Sequence, residues 1–179
     1  MTTLEIVTRC YKRPSMLAAN QASLAQQTCT DWQQTLLIDD VGIGVVAANT
    51  QLATFAPTGR YVWLLDDDDL CVYPGLVADV LALEAERNPE LIMVRFDHDY
   101  LGVLPEPAYW QRPPECGRIG GSGVISRADL WMQCRGEWMT GRYESDCDYV
   151  RAAYRTAHNI VWHDVIAGMV QRISRGAPE

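Results

Sequence analysis

The feature that most constrains the fold is an unbroken apolar segment at residues 61–65, which runs directly into four aspartates at residues 66–69. A strand without a polar face is typical of a parallel sheet whose two sides are both covered by helices. Three further segments rich in β-forming residues predict strands at 4–8, 32–39 and 91–96. The first half of the chain therefore predicts a sheet in which residues 61–65 occupy an interior position.

The segments between these strands predict helices, at 14–27, 45–55 and 74–87. Pro14 is compatible with a first helical turn, and Asn88-Pro89 is a typical helix stop. Strands that alternate with helices favour an α/β fold with an open, mostly parallel central sheet flanked by helices. In such sheets ligands bind beyond the carboxyl ends of the strands.

The second half of the chain is less regular. Residues 97–118 are rich in Pro, Tyr and Trp and predict a long loop. A glycine-interrupted strand, two helices and a last strand follow, at 119–126, 128–134, 146–157 and 159–162. We predict a single domain over 1–179, with halves at 1–96 and 97–166 and a tail at 167–179.

Composition excludes several classes of function. The 179 residues are 48% hydrophobic, and 15 basic against 23 acidic residues leave a net charge of −8, which disfavours binding to nucleic acid or anionic membranes. No apolar run approaches the ~20 residues of a membrane span, and the N-terminus lacks a signal-peptide pattern. The six cysteines form no Cys-x-x-Cys pair, so we expect free thiols, a cytoplasmic location and no structural zinc.

The four consecutive aspartates at residues 66–69 are the densest cluster of charge. Alternating carboxylates at the end of a strand can ligate a hard cation such as Mg²⁺ or Mn²⁺. That cation can bridge the two phosphates of a nucleoside diphosphate and neutralise a leaving diphosphate. The alternative is a solvated acidic turn or a helix cap, but the apolar strand that precedes the aspartates favours the cation.

Other polar groups also follow predicted strands. Asp39 and Asp40 could accept hydrogen bonds from a base or a ribose, or simply cap a turn. Arg9, Lys12 and Arg13 follow the first strand and could contact phosphates, or could be ordinary surface charge.

A second carboxylate group comprises Glu144, Asp146 and Asp148. A positioned carboxylate is the usual general base for a sugar hydroxyl, although Asp146 would also suit the positive end of a helix dipole. His163 follows the last predicted strand and could be a metal ligand or a structural histidine. Residues 120–123 could admit a substrate close to the backbone or form a bulged strand. Three aromatic residues could stack on a sugar or pack in the core: Tyr109, Trp110 and Trp138.

Taken in order, these motifs resemble glycosyltransferase family 2. The loop Arg-Cys-Tyr-Lys-Arg-Pro at 9–14 stands where the family has Pro-Thr-Tyr-Asn-Arg-Pro, and Leu-Ile-Asp-Asp at 37–40 matches its Val-Val-Asp-Asp segment. The most specific match is 59–74, which is similar to the family's Gly-x-Tyr-x-x-x-Leu-Asp-x-Asp-Asp followed by Pro. Residues 121–127 resemble its acceptor-side strand, and Ser-Asp-Cys-Asp at 145–148 resembles its Glu-Asp-x-Asp motif.

The resemblance implies a GT-A fold and an inverting, metal-dependent glycosyltransferase, with a nucleotide-sugar-binding half at 1–96 and an acceptor-side half at 97–166. It implies nucleotide or donor contacts from Arg9, Tyr11, Arg13, Asp39, Asp40, Asp66 and Asp67. Mn²⁺ or Mg²⁺ would be held by Asp66, Asp68 and His163. Asp146 would be the catalytic base, and the acceptor side would include Gly121, Ser122 and Asp148.

The implied partners are a nucleotide-sugar donor, with a UDP-sugar as first choice, and a glycan, lipid-linked or other hydroxyl acceptor. A homo-oligomer could complete the acceptor side of so short a chain, and no nucleic-acid partner is expected. Two other interpretations are open. Ser145 in place of the family's Glu would suit a non-catalytic binding or scaffold relative. A nucleotidyltransferase shares the sheet and the carboxylates, but the loop after the first strand lacks the glycines such enzymes carry there.

Overall fold

A computed structural model describes residues 2–171 of the chain. Over these residues the strands are β1 (Leu4–Cys10), β2 (Trp32–Ile38), β3 (Tyr61–Leu64), β4 (Asp69–Cys71), β5 (Leu91–His98), β6 (Gly102–Leu104), β7 (Val124–Arg127) and β8 (Ile160–Val170). The helices are α1 (Pro14–Leu24), α2 (Val45–Thr54), α3 (Leu76–Arg87), α4 (Ala128–Cys134) and α5 (Ser145–Thr156). Three short 3-10 turns lie at Pro107–Tyr109, Gly121–Gly123 and Arg135–Met139.

Within residues 2–171 the strands form one sheet in the order β2-β1-β3-β7-β5-β8-β4, with β6 beside β5. Strands β2, β1, β3, β5 and β8 run in the same direction. Strand β7 lies antiparallel between β3 and β5, while β4 and β6 pair antiparallel with β8 and β5. The predicted α/β class, with a mostly parallel sheet flanked by helices, is confirmed.

Strand β3 is apolar throughout because both of its faces are buried. Tyr61 and Trp63 belong to a core cluster that includes Leu76 and Val77 of α3. Val62 and Leu64 belong to a second cluster that also contains side chains from α2, α4 and α5. Side chains alternate between the faces of a strand, so two separate cores require apolar residues at every position of β3.

The predicted elements of the first half match the structure to within a few residues, whereas the second half differs more. The predicted strand at 119–126 begins only at Val124, because a 3-10 turn occupies Gly121–Gly123. The predicted strand at 159–162 continues to Val170, because its second part pairs with both β5 and β4. Residues 167–170 therefore belong to the sheet and not to a tail, and residues 172–179 lie outside the described part of the chain. The division into halves stays a prediction.

The expectation of six free thiols is wrong for one pair, since Cys116 and Cys147 form a disulfide across 31 residues of sequence. This bond joins the long loop to α5, and nothing in the local cysteine spacing indicates it. The cytoplasmic location, which rested on free thiols, stays a prediction without that support. Among residues 2–171 no helix combines the length and the apolar character needed to cross a membrane.

Candidate active site

A cleft of about 610 Å³ lies at the carboxyl ends of β1, β2 and β3. Residues from both halves of the chain line it, including Arg9, Arg13, Asp66, Asp68, Asp69, Ser122 and Asp146. Parallel strands present their carboxyl ends at one edge, and this is where open α/β sheets bind ligands.

The acidic turn, residues 66–69, is held in place by two side chains from distant elements. Asn20 of α1 donates from Nδ2 to the carbonyl oxygens of Asp66 and Asp69, at 3.0 and 2.9 Å. Gln171 donates from Nε2 to the carbonyl of Asp67 at 3.1 Å, and its backbone N–H donates to that of Asp68 at 2.7 Å. The backbone of the turn is therefore fixed by the protein itself.

Two arginines pair with the acidic turn: Arg9, near the end of β1, and Arg13, directly before α1. Arg9 binds both carboxylate oxygens of Asp66, with 2.8 Å between Nε and Oδ1. Arg13 contacts Asp68 at 2.7 Å and also pairs with Asp67. The predicted donor contact of Asp67 is not supported by its position, because its side chain is buried under the turn, where Arg13 and the Tyr11 N–H bind it.

Three carboxylates of the turn suit a divalent cation. Oxygens of Asp66, Asp68 and Asp69 lie within 4.8 Å of one another, and carboxylate oxygen is the ligand that Mg²⁺ and Mn²⁺ prefer. Burial, followed by the charges of Asp66 and Asp68, raises the pKa of Asp69 well above its usual value. Two arginines do not balance four aspartates, so a dication would complete the neutralisation. Asp69, which was not predicted as a ligand, belongs to this set.

Asp39 lines the cleft, but much of its hydrogen-bonding capacity is used locally. Its carboxylate accepts the backbone N–H groups of residues 41–43, at 2.7 to 3.0 Å. The Tyr11 hydroxyl packs against Gly42, which has a φ of +83° and leaves no room there for a Cβ. Asp40 is exposed and is not part of the lining.

The start of α5 also contributes to the lining of the cleft, through Asp146. Tyr149 and Val150 of α5 are buried, and the Tyr149 ring stacks on Trp138 at 5.0 Å between ring centroids. The Tyr149 hydroxyl also bonds Ser126 Oγ at 2.6 Å, which ties α5 to β7. This packing orients the first turn of α5, and with it Asp146, towards the cleft.

The carboxylate of Asp146 accepts backbone N–H groups and makes no ion pair within residues 2–171. Its Oδ1 accepts the Cys147 N–H at 2.8 Å, and the Gly121 N–H is a second donor. Burial raises the pKa of Asp146 above its usual value, against the lowering effects of the Cys147 N–H and of the Arg9 charge. A carboxylate with a raised pKa is suited to accept a proton near neutral pH.

Gly121 and Ser122, which were predicted on the acceptor side, line the cleft, where Gly121 contacts Asp146 and Ser122 contacts the acidic turn. A Cβ on Gly121 would lie 2.9 Å from the Trp138 ring, so a side chain cannot be placed there without moving that ring. Ser122 Oγ lies 3.4 Å from Asp69 Oδ2. Trp138 is a core residue with one edge on the cleft, and Tyr109 and Trp110 lie outside the lining.

The structure does not bring His163 or Asp148 into the cleft. His163 Nε2 lies 2.8 Å from Asp79 Oδ2 of α3, because β8 continues past residue 162 and directs the imidazole towards that helix. His163 is therefore not part of the group that could hold a metal, which comprises Asp66, Asp68 and Asp69. Asp148 lies 3.5 Å from Arg142 and is not part of the lining.

Sequence reasoning missed the buried polar residues that support the site. Asn20, Asn49 and Gln171 are each less than 10% exposed, although polar side chains are usually found at the surface. Asn20 and Asn49 are amide side chains on helices, and Gln171 follows β8, so none of them carries a local sequence signal that identifies a site.

No protein-family profile matches the chain, and no curated protein matches its sequence. Its structure is similar to that of S. aureus TarS 1–349, with a TM-score of 0.72 and 15% identity over 94% of this chain and 60% of the other. TarS 1–349 in complex with UDP-GlcNAc gives a TM-score of 0.71 and 13% identity over 98% of this chain and 60% of that one. The chain has a GT-A-like fold.

A third structure with the GT-A-like fold is the mannosyltransferase PcManGT from Pyrobaculum calidifontis, in complex with GDP-Man and Mn²⁺. Its TM-score is 0.65 and its identity 12%, over 98% of this chain and 58% of the other. The chain thus spans about 60% of the length of the TarS 1–349 structures that it matches.

Proposed function

We propose that the chain is a glycosyltransferase that moves a sugar from a nucleoside-diphosphate-sugar to an acceptor hydroxyl with inversion. The observation that carries this proposal is that one cleft is lined both by the acidic turn and by Asp146. A cluster that can bind a charged diphosphate through a cation then lies in the same cleft as a carboxylate with a raised pKa. Sugar transfer by in-line displacement needs both groups.

The proposed donor half comprises the acidic turn with Arg9, Arg13, Tyr11 and Asp39. The TarS and PcManGT structures contain UDP-GlcNAc and GDP-Man, which supports a nucleoside-diphosphate-sugar as the donor class, with a UDP-sugar as our first choice. A divalent cation at Asp66, Asp68 and Asp69, with Mn²⁺ or Mg²⁺ as candidates, would stabilise the charge of the leaving diphosphate.

The proposed chemical step uses Asp146 as the base. Its carboxylate takes the proton of the acceptor hydroxyl while that oxygen attacks the anomeric carbon. The bond between this carbon and the diphosphate oxygen breaks, and the nucleoside diphosphate leaves with the bonding electron pair. Attack on the face opposite to the leaving group inverts the anomeric configuration. The acceptor is a glycan, a lipid-linked saccharide or another hydroxyl compound, and a second copy of the chain could complete its site.

A transfer assay tests this proposal. The protein is incubated with UDP-, GDP- and dTDP-sugars, Mn²⁺ and a panel of saccharide acceptors, and product anomers are identified by NMR. We expect one donor class to react with inversion and Asp146→Asn to be inactive. Asp164→Asn is the control and should be fully active, because Asp164 is an exposed residue of β8 whose partner is Arg95 of β5. Retention of configuration, or equal activity of Asp146→Asn, would contradict the proposed step.

A second candidate is a binding module that holds a nucleotide without transfer. It is favoured by the ion pairs of Arg9 with Asp66 and of Arg13 with Asp68, which occupy carboxylates that a cation would use. This candidate predicts nucleotide binding that is independent of Mn²⁺, and no turnover with any acceptor.

A further inference from the structure

A chain of hydrogen bonds, partly buried at Arg9 and fully buried at Asn49 and Ser145, joins the acidic turn to the first turn of α5. Arg9 holds Asp66 with two of its guanidinium nitrogens, and its remaining Nη1 donates to Asn49 Oδ1 in α2. Asn49 Nδ2 in turn donates to Ser145 Oγ at 2.6 Å. Ser145 is the first residue of α5 and precedes Asp146.

Chemistry allows only one orientation of the Asn49 amide. A guanidinium can only donate hydrogen bonds, so the amide oxygen must face Arg9 and the amide nitrogen must face Ser145. Asn49 and Ser145 are 2% and 0% exposed, so water is not available to replace either partner. The bridge is therefore a directional link between three separate elements, β1, α2 and α5.

We infer that Asn49 is a positioning residue that acts through Ser145 to set the place of Asp146 relative to the acidic turn. This inference rests on the proposed function, in which Asp146 is the base. Asn49 connects Arg9, which pairs with the acidic turn, to Ser145, which directly precedes Asp146.

Position matters more than bond strength at such a site. A displacement of about 1 Å can lower the rate of the chemical step by roughly 100-fold without disturbing ground-state binding. Asn49 lines the cleft, but Arg9 is also held by two bonds to Asp66, so we expect Arg9 to stay in place without Asn49. Removing the amide should release α5 and leave the acidic turn intact.

The test uses Asn49→Ala, Ser145→Ala and the double variant, with Thr50→Ala as control, because Thr50 is an exposed neighbour on α2. In each single variant we expect kcat to fall by roughly 10- to 100-fold, while KM for the donor changes by less than about threefold. The kcat of the double variant should be no lower than that of the more impaired single variant, because each single substitution already removes the same hydrogen-bonded link. Asn49→Asp should recover most of kcat, since the serine hydroxyl can turn and donate to it.

Unchanged kcat in both single variants would overturn the inference, and so would loss of nucleotide binding in proportion to activity. Amide hydrogen exchange supplies a readout without turnover. Residues 145–149 should exchange faster in Asn49→Ala, while residues 61–71 exchange as in the wild type. An equal increase in the exchange rate of both segments, or no increase in residues 145–149, would overturn the inference that Asn49 positions Asp146. If the wild type transfers no sugar but exchange follows this pattern, the proposed function fails and the positional link stands.

Discussion

Two acidic sites, the acidic turn and Asp146, line the same cleft, and they differ in the groups that bind their carboxylates. In the acidic turn, Arg9 and Arg13 pair with Asp66, Asp67 and Asp68. In the same cleft, Asp146 makes no ion pair within residues 2–171 and its carboxylate accepts backbone N–H groups. The first site is in direct contact with arginine side chains, whereas the second is bonded by backbone N–H groups and surrounded by buried protein.

This difference shows how one cleft can give two roles to the same side chain. Neighbouring cations keep carboxylates ionised, and burial without a cation raises the pKa of a carboxyl group so that it can take up a proton. Within the acidic turn burial raises the pKa of both Asp67 and Asp69, but Asp67 pairs with Arg13 whereas Asp69 lacks an ion pair among the described residues. Asp69 therefore indicates where a cation is still needed.

The largest effect on activity is expected for a substitution of Asp146, the proposed base. Asp146→Asn removes the proton acceptor, so kcat should fall by about 10²- to 10⁴-fold while nucleotide binding is unchanged. Steady-state kinetics and calorimetry check the two parts. Asp148→Asn is the matched control from the same helical turn, and it should stay within a few-fold of wild type because Asp148 lies outside the cleft lining. A similar loss in both variants would remove the distinction between them.

Breaking the disulfide should disturb the Asp146 side more than the acidic turn. Cys147 directly follows Asp146, and its bond to Cys116 spans 31 residues. The double variant Cys116→Ser/Cys147→Ser should lower the free energy of unfolding by roughly 3 kcal/mol, measured in urea. Nucleotide binding should persist in the folded variant. Weaker nucleotide binding with kcat unchanged would reverse the assignment of the two sides.

Arg13→Ala should have the converse effect on the acidic turn. It leaves Asp67 buried without its cation, and breaking such a pair costs about 3 kcal/mol of stability. Nucleotide binding should weaken in the same variant. Arg142→Ala is the control, because its exposed ion pairs should contribute less than about 1 kcal/mol. Equal unfolding midpoints for the two variants would contradict the structural role of Arg13.

The smallest expected effects concern how the ionisation of Asp146 changes activity and protein stability with pH. A base must be ionised, so activity should be present above the raised pKa of Asp146 and should be lost as pH falls through it, at a higher pH than for an ordinary aspartate.

The raised pKa of Asp146 also means that its ionised form opposes folding near neutral pH. Asp146→Asn should therefore be slightly more stable than wild type at pH 7, and this gain should vanish in acid. Thermal unfolding at both pH values would measure it.

The first half of the fold could be predicted because its signals are local. The apolar run of β3 and the helices beside it are visible in short windows, and the position of the acidic turn follows from the end of that strand. The partners of the turn could not be predicted in this way. Arg9 and Arg13 were expected to contact a donor, and their contacts with aspartates more than 50 residues away depend on the assembled sheet.

The second half shows the same limit more strongly. Strand β8 reaches Val170 because it pairs with β5 and β4, and that extension places His163 beside Asp79 instead of the acidic turn. The pairing of Cys116 with Cys147 depends on where the long loop meets α5. Neither result has a local sequence signal, whereas the start of α5 lies within one residue of its predicted position because a helix start is a local feature.

Calorimetric titration with UDP, GDP and dTDP, in Mn²⁺ and in EDTA, tests the central claim most directly. We predict that one nucleoside diphosphate binds in Mn²⁺, and that EDTA or Asp68→Ala weakens its binding by about 100-fold, because both remove the charge compensation of the diphosphate. Asp40→Ala should bind like the wild type, because Asp40 lies outside the cleft lining. Binding that is equal in Mn²⁺ and EDTA, or no binding of any of the three, would contradict a metal-dependent donor site at the acidic turn.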